Sequence, residues 1–226
     1  MGEELWRVFN FGSPGLDRIR SHQRSSRESL CHEIALDPAQ PFLIATFHPV
    51  TLEPAAQDGQ MTALLLALEQ AGIAVVATYP NADAGSARIV DALEAFAGRH
   101  PQRVRLMRNA GTRLYFDLLA HAAAMVGNSS SGIGEAPSFE LPVVNIGTRQ
   151  DGAIKAANVV DVGYSAEEIY AGIRRATDSA FRAGLCGMRN PYGDGDAGRR
   201  IVGTLRDISL DSRLLRKKFV DHPLHD

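Results

Sequence analysis

Three polar loops of this 226-residue sequence carry residue types from which a ligand site can be built. In the first loop, residues 46–51 (TFHPVT), His48 directly follows a short apolar run. An imidazole in that place can donate a hydrogen bond to an anion or act as a general acid near neutral pH. The alternative is a loop histidine whose ring is bonded to nearby backbone. Its position at the end of a predicted strand keeps both interpretations open.

The second loop, residues 79–86 (YPNADAGS), contains Asn81 and Asp83 before a predicted helix. Short polar side chains of this kind often bond to backbone in turns and at helix starts, so a capping role is one interpretation. The other is that Asn81 forms a polar wall of a ligand cleft. Arg149 follows a later strand, in residues 146–150 (IGTRQ), and is either a phosphate ligand or a surface arginine.

The third loop, residues 127–135 (GNSSSGIGE), joins a strand to a helix and is the most informative. Small residues allow backbone N–H groups to approach an anion, Ser129 and Ser130 add hydroxyl donors, and a helix start favours negative charge. This pattern can hold a diphosphate without a lysine, and Glu135 can accept hydrogen bonds from ribose hydroxyls. The alternative is a serine-rich capping loop. Pro137 separates the segment from Walker A and GxGxxG motifs.

Short apolar runs alternate with amphipathic stretches from residue 41 onward, which predicts a doubly wound, parallel α/β sheet. Strands are expected at 42–47, 73–79, 104–107, 124–126, 142–146 and 159–162, and the longer helices at 61–71, 86–99, 114–123, 165–182 and 194–208. In such sheets ligands bind beyond the carboxyl ends of the strands. The three loops and Arg149 all follow strands, so we expect them at one edge.

Residues 1–40 do not follow this alternation and are interpreted as a connecting region. A strand is predicted at 6–11, followed by short helices near 16–20 and 27–34. The basic run 213–218 near the end of the chain is most simply one face of a solvated helix.

Composition excludes several functional classes. The net charge of −2 and the isoelectric point of about 6.4 provide no basic field for nucleic acid. The two cysteines, Cys31 and Cys186, match no zinc pattern, and the histidines share no metal-ligand spacing. No apolar run approaches the ~20 residues that span a bilayer, and no signal peptide is recognised. We therefore predict a cytoplasmic protein without metal, membrane or nucleic-acid partners.

Several further segments, taken in order with these loops, resemble one family over nearly the whole chain. The matching segments are 7–17, 47–51, 79–85, 127–132, 144–150, 190–195 and 215–219, together with Glu135. They are similar to the hydrolysing UDP-N-acetylglucosamine 2-epimerases of sialic acid synthesis and to their relatives that act on diacetylbacillosamine. Ala153 departs from the pattern, since a basic residue is common there in the family.

The resemblance implies a glycosyltransferase-B-like architecture, in which two Rossmann-like domains enclose a cleft and the second domain holds UDP. It implies a catalytic role for His48 in assisting the departure of UDP. The implied UDP-binding residues are Asn81, Ser129, Ser130, Glu135 and Arg149. The implied reaction eliminates UDP from UDP-N-acetylglucosamine and hydrates the resulting glycal to N-acetylmannosamine. No metal or redox cofactor is implied.

The resemblance also implies a domain organisation. Residues 1–40 correspond to the end of a first domain and its connection, residues 41–208 to the UDP-binding domain, and residues 209–226 to a tail helix. The family's N-terminal Rossmann-like domain, which supplies carboxylates, is expected to be absent, so the chain by itself is expected to be inactive. A homo-oligomer is expected for the full enzyme.

Three alternatives remain open at this stage. The substrate could instead be UDP-N,N'-diacetylbacillosamine. The chain could be the nucleotide-sugar half of a glycosyltransferase of the same fold. It could also be a non-catalytic module that binds UDP-sugars.

Overall fold

A six-stranded parallel sheet organises the computed structural model, which describes residues 2–53 and 55–221. The strands are β1 (Phe42–Thr46), β2 (Ala74–Thr78), β3 (Val104–Met107), β4 (Ala124–Gly127), β5 (Val143–Ile146) and β6 (Val159–Val162). Their order is β3-β2-β1-β4-β5-β6, with parallel pairing throughout. The order reverses between β1 and β4, so the predicted doubly wound, Rossmann-like α/β fold is confirmed.

Ten α-helices are found in the described residues. They are α1 (Gly15–Arg20), α2 (Arg27–Glu33), α3 (Gln57–Ala71), α4 (Ser86–Arg99), α5 (Gly111–His121), α6 (Ser131–Gly134), α7 (Ala166–Thr177), α8 (Ser179–Ala183), α9 (Ala197–Asp207) and α10 (Ser212–Leu215). No helix among the described residues has the length and apolar composition needed to cross a bilayer.

The chain divides into two compact units. One comprises residues 22–191 and contains the whole sheet, and the other combines residues 1–21 with residues 192–226. Helix α2 belongs to the sheet-containing unit. The domain limits after residues 40 and 208 stay a prediction, and the last part of the predicted tail, 222–226, lies outside the described residues.

The core of the sheet-containing unit forms where apolar strands are covered by helices. All five residues of β1 are buried, as expected for a central parallel strand. Helix α3 ends at Gly72 in the left-handed conformation, as predicted. Helix α4 has the predicted limits and buries Ile89, Leu93 and Phe96 along one face. The sequence therefore predicts both ends of α4 and the end of α3, whereas α3 begins at Gln57, four residues before the predicted start.

The predicted helix 165–182 is wrong in its length. Ser165 begins α7 with a capping box, in which its hydroxyl accepts from the backbone N–H of Glu168 and the Glu168 side chain accepts from Ser165. The helix ends at Thr177 because Asp178 adopts an extended conformation. The Asp178 carboxylate then accepts the N–H groups of Ala180 and Phe181, which starts α8.

The predicted strand at 6–11 is also wrong. Leu5–Arg7 forms a 3₁₀ turn, and the residues after it pair with no strand in the described chain. Side-chain contacts hold the segment instead, because the Trp6 ring lies 4.3 Å from the guanidinium carbons of both Arg7 and Arg213. Arg7 Nη1 also donates to the Leu214 carbonyl over 2.8 Å. Arg213 and Leu214 are more than 200 residues away in the chain, so no short-range sequence pattern indicates these contacts.

Helix α9 begins three residues later than the predicted start at residue 194. Gly195 lies at φ +77°, outside helical backbone. The Asp17 carboxylate accepts hydrogen bonds from the N–H groups of Ala197 (3.0 Å) and Gly198 (2.7 Å). An acceptor from a distant segment therefore satisfies the first donors of the helix and sets its start.

Two features of the sheet-containing unit lead to stability predictions. The first is the close approach of β1 and β4 at Gly127, which has φ +140°. A Cβ atom there would lie 1.8 Å from the Thr46 carbonyl oxygen. The second is Asp117 on α5, which is fully buried. Its carboxylate accepts from Ser25 Oγ (2.7 Å), the Ser25 backbone N–H (3.0 Å) and His22 Nε2 (2.8 Å).

We predict that Gly127→Ala lowers the free energy of unfolding by at least roughly 1–3 kcal/mol, the cost of one strained residue. The clash with Thr46 separates the two central strands and adds to this cost. Gly98→Ala is the control, because a Cβ on that α4 glycine meets nothing within 4 Å. Urea denaturation measures both variants, and equal stabilities would contradict the close approach.

We predict that Asp117→Asn lowers the free energy of unfolding at pH 7 by roughly 2–5 kcal/mol, because an amide N–H₂ would face the donors of Ser25. Burial raises the pKa of Asp117, but the hydrogen bonds from Ser25 and His22 outweigh it and hold that pKa below its usual value. The ionised form thus stabilises the fold above the unfolded pKa, and this contribution is lost as pH falls through the folded pKa.

The Asp117→Asn protein should therefore lose less stability on acidification below about pH 4 than the parent. Urea denaturation over a pH series measures this difference. The control is Asp91→Asn, at an exposed position of α4, which should change stability by less than about 0.5 kcal/mol. An unchanged acid profile in Asp117→Asn would refute the assigned role.

Candidate functional site

Four loops meet at the carboxyl edge of the sheet, following the adjacent strands β2, β1, β4 and β5. Parallel strands end at the same edge, so the loop residues that the sequence singled out are brought together by topology. Asn81 follows β2, His48 follows β1, Ser129 and Ser130 follow β4, and Arg149 follows β5.

Asn128 connects three of these loops and is completely buried. Its Oδ1 accepts from the backbone N–H of His48 (2.7 Å), and its Nδ2 donates to the carbonyl of the same residue (2.9 Å). The carbonyl of Asn128 accepts from Arg149 Nη1 (3.0 Å) and Gln150 Nε2 (2.9 Å). One residue thus fixes the backbone of the His48 loop and the side chains of the Arg149 loop.

Sequence reasoning did not assign a role to Asn128, although it lies inside the serine-rich segment. The only available signal was its position directly after a strand that ends in glycine. An asparagine in a loop is usually interpreted as a turn residue, and the pairing partner here is 80 residues away.

His48 is half-buried and bonded to the loop after β2. Its Nδ1 accepts a hydrogen bond from the backbone N–H of Asn81 (3.1 Å) and lies 3.2 Å from Asn81 Oδ1. In the neutral ring Nδ1 can accept this backbone N–H, with the ring proton on Nε2, whereas in the protonated ring Nδ1–H can donate to Asn81 Oδ1. His48 is therefore bonded to backbone, as one interpretation held, and still has one nitrogen available for a ligand.

Burial lowers the pKa of His48, and the positive charge of Arg149 lowers it further. The hydrogen bond between Nδ1 and the Asn81 side chain and the charge of Asp83 act in the opposite direction without reversing the shift. The ring is consequently neutral at pH 7, so it acts as a hydrogen-bond donor through Nε2.

The capping interpretation of the loop after β2 is only partly right. The residue preceding α4 is Gly85, and no side chain caps the backbone of that helix. The Asn81 amide instead bonds to Asp83, while the Ser86 hydroxyl donates to the Asn81 carbonyl over 2.7 Å. These bonds make a compact loop that holds the exposed Asn81 beside His48.

The serine-rich loop leads into α6, which has only four residues. A helix this short contributes little dipole, so the donors available to an anion are the individual N–H and hydroxyl groups. Ser129 is half-buried and its hydroxyl accepts from the Ser131 N–H over 3.3 Å, while Ser130 is exposed. The Ser130 side chain makes no capping hydrogen bond to the helix.

Glu135 is held by a chain of hydroxyl groups that the sequence did not reveal. The Tyr115 hydroxyl donates to Ser131 Oγ over 2.7 Å, and Ser131 Oγ donates to the Glu135 carboxylate. Burial raises the pKa of Tyr115 to about 12, so its hydroxyl stays protonated and remains a donor. One carboxylate oxygen is bonded in this way, which orients Glu135 on the serine-rich loop.

A second unpredicted link joins the loops after β1 and β5. Glu53 Oε1 accepts from Thr148 Oγ1 (2.9 Å), and its Oε2 accepts from Gln60 Nε2 (2.7 Å). The Thr148 hydrogen bond lowers the pKa of Glu53, so this carboxylate stays ionised. Tyr164 accepts from the Thr148 N–H over 3.2 Å and completes the link.

Arg149 provides positive charge at this edge. It is half-buried and forms no ion pair within residues 2–53 and 55–221. Its one hydrogen bond among these residues goes to a carbonyl, so its charge is not neutralised there. No group of three His, Cys, Asp or Glu side chains in the described part of the chain could hold a metal ion. The edge therefore combines a cation, backbone amides and hydroxyls, which suits an anionic ligand.

Comparison with known proteins agrees with the motif pattern. The family model described as UDP-N-acetylglucosamine 2-epimerase matches residues 1–206. A curated relative, the UDP-N,N'-diacetylbacillosamine 2-epimerase (hydrolyzing) of Legionella pneumophila, is 33% identical over 217 residues, or 96% of this chain and 56% of the relative. The chain thus spans about half the length of the curated relatives it matches.

Solved structures share the fold. The UDP-GlcNAc 2-epimerase of Methanocaldococcus jannaschii, in complex with UDP-GlcNAc and UDP, matches with a TM-score of 0.66 and 15% identity, over 91% of this chain and 56% of the other. WaaG, a glycosyltransferase of lipopolysaccharide biosynthesis, matches with a TM-score of 0.50 and 17% identity, over 89% and 53%. The expected similarity to a glycosyltransferase-B-like domain is confirmed. With the sequence match, these findings show that the chain belongs to the UDP-N-acetylglucosamine 2-epimerase family.

Proposed function

We propose that this chain is the nucleotide-binding half of a hydrolysing UDP-N-acetylhexosamine 2-epimerase, which converts UDP-N-acetylglucosamine to N-acetylmannosamine and UDP. The observation that supports this most is the set of bonds from Asn128 to the His48 and Arg149 loops. It puts an ionised arginine and a neutral histidine beside the serine-rich loop. Family membership supplies the reaction type.

The proposed UDP site follows from the charges and donors at this edge. Arg149 and the N–H and hydroxyl groups of Ser129 and Ser130 bind the diphosphate. Glu135, oriented by the hydroxyl of Ser131, accepts hydrogen bonds from the ribose hydroxyls. Asn81 contacts the nucleotide sugar next to His48.

His48 assists the departure of UDP in this proposal. The C1–O bond breaks, its electron pair goes to the β-phosphate oxygen, and a base removes the C2 proton to leave a C1–C2 double bond. The Nε2–H of His48 donates to the leaving oxygen. Water then adds with its hydroxyl at C1 and a proton at C2 on the opposite face, which completes N-acetylmannosamine.

Arg149 controls when His48 acquires a proton. In the free site burial lowers the histidine pKa most, and the arginine charge lowers it further. A bound diphosphate neutralises that charge and favours the imidazolium form next to the leaving group. We assign the carboxylates that move the C2 proton to a second Rossmann-like domain and expect the enzyme to assemble as a homo-oligomer. We place the reaction in sialic acid synthesis in the cytoplasm.

UDP-N,N'-diacetylbacillosamine is the alternative substrate, favoured by the 33% identical Legionella relative. The two sugars differ at C4, so product analysis with each UDP-sugar separates them. A glycosyltransferase half has the weaker support of the WaaG fold similarity alone. Transfer to an acceptor sugar would favour it, and UDP binding without any turnover in the full enzyme would favour a non-catalytic module.

We predict that the chain binds UDP and that Arg149→Ala weakens the binding roughly 10- to 100-fold, the loss expected for a charge-assisted hydrogen bond. Isothermal titration calorimetry measures both proteins. Arg99→Ala is the control, because Arg99 lies at the opposite end of α4 from the Asn81 loop. No heat with UDP at roughly millimolar concentration would contradict the nucleotide site.

The same samples test the need for a second domain. We expect no release of N-acetylmannosamine from UDP-N-acetylglucosamine with this chain alone. Sustained turnover would refute our assignment of the carboxylates to another domain and would leave the UDP site intact.

We predict that Arg149→Gln raises the pKa of His48 toward its ordinary value of about 6.5, because a positive charge is removed while the effects of burial, Asn81 and Asp83 remain. NMR titration of the His48 ring protons measures this pKa. Arg99→Gln should leave it unchanged. If the pKa of His48 is the same in Arg149→Gln as in the parent, the proposed coupling is wrong.

A further inference from the structure

A second cleft lies at the amino edge of the sheet, opposite the proposed UDP site. It has a volume of about 420 Å³ and is lined partly by residues that directly precede strands. Pro41 precedes β1, Ile73 precedes β2 and Ala123 precedes β4. The size falls within the range of roughly 300–1,000 Å³ that is usual for small-molecule sites.

Two arginines face this cleft, and Arg27 on α2 is the more rigidly held. Its Nε donates to the Pro38 carbonyl (2.8 Å), its Nη1 to that of His121 (2.7 Å) and its Nη2 to that of Gln40 (2.6 Å). Three of its five N–H groups are thus bonded to neutral acceptors. The guanidinium is held in place while its charge is left uncompensated.

Arg182 on α8 is the second arginine, and its Nη1 donates to the Ala123 carbonyl. No other hydrogen bond of its guanidinium is found in the described part of the chain, and neither Arg27 nor Arg182 forms an ion pair there. Burial lowers the pKa of Arg182, and the charge of Arg27 adds to this effect. The two cations therefore repel each other across a partly desolvated cleft.

The nearby acids are bonded elsewhere. The Glu28 pKa is lowered by hydrogen bonds from its own backbone N–H and from Ser26 at the start of α2. Asp37 accepts from the Ala39 N–H over 2.9 Å in a turn. Neither carboxylate lines the cleft. Among the described residues neither guanidinium group has an acidic partner, Arg27 being held by three carbonyls and Arg182 being exposed and bonded to one. Such a pair of guanidinium groups provides donors that bind phosphate oxygens.

We propose that this cleft is a second anion site, which binds a phosphate-bearing small molecule between Arg27 and Arg182. The spare N–H groups of both arginines bind the phosphate oxygens, and the remaining volume accepts the group attached to the phosphate. The site is independent of the proposed UDP site, because it lies at the opposite edge of the same sheet and shares no lining residue with it.

The test is an NMR titration of the ¹⁵N-labelled chain with inorganic pyrophosphate, observing backbone amides and arginine Nε–H groups. We expect saturable shifts at Ala122, Ala123 and the Nε–H of Arg182. Arg182→Gln should weaken binding at this edge roughly tenfold or more. Arg182 is the residue to change, since Arg27 holds three segments together and its loss would disturb the fold.

Arg174→Gln is the matched control, because it removes the same charge from an exposed position in the last turn of α7. It should change the affinity less than about twofold. Arg149→Gln should affect only shifts at the carboxyl edge. A wrong assignment of the UDP site would therefore be recognised separately from a wrong assignment of this cleft. The absence of saturable shifts at the amino edge up to roughly 10 mM pyrophosphate, or equal weakening by Arg174→Gln, would overturn the proposal.

Discussion

The buried amide of Asn128 is the interaction on which the geometry of the site depends. The amide oxygen and nitrogen both bond to the backbone of His48, and the backbone carbonyl of Asn128 accepts from Arg149 and Gln150. A buried amide that loses its partners costs about 1–3 kcal/mol per unsatisfied group. The loops after β1, β4 and β5 therefore adopt these positions together, because each supplies partners that the others need.

The positive charge of Arg149 is the second interaction that shapes the site. Arg149 is bonded to a neutral carbonyl, so it can attract an anion and at the same time keep the neighbouring His48 neutral. A bound diphosphate would neutralise the charge of Arg149. It would thereby also remove the repulsion between Arg149 and a protonated His48. The same reasoning applies at the opposite edge, where Arg27 and Arg182 face one another and form no ion pair with any described carboxylate.

Some helix limits can be predicted from the short-range sequence pattern alone. The limits of α4, the end of α3 at Ala71 and the start of α7 at Ser165 follow from short-range preferences, and the sequence located them correctly. Two of the errors arose where residues far away in the chain determine the local structure. Trp6 and Arg7 look like part of a strand but pack on Arg213, and α9 starts where the Asp17 carboxylate meets it.

The sequence by itself determined the alternation of strands and helices, the six-stranded parallel fold, the family and the loops that carry His48, Asn81, Ser129, Ser130, Glu135 and Arg149. These follow from periodicity and short motifs, which are local properties of a chain. Only the tertiary structure decided that Asn128 joins the loops, that Tyr115 and Ser131 orient Glu135, and that Arg27 and Arg182 share a cleft. Except for the bond from Ser131 to Glu135, these contacts join residues that are far apart in the chain, and hydrogen bonds and charge interactions depend on distance in space.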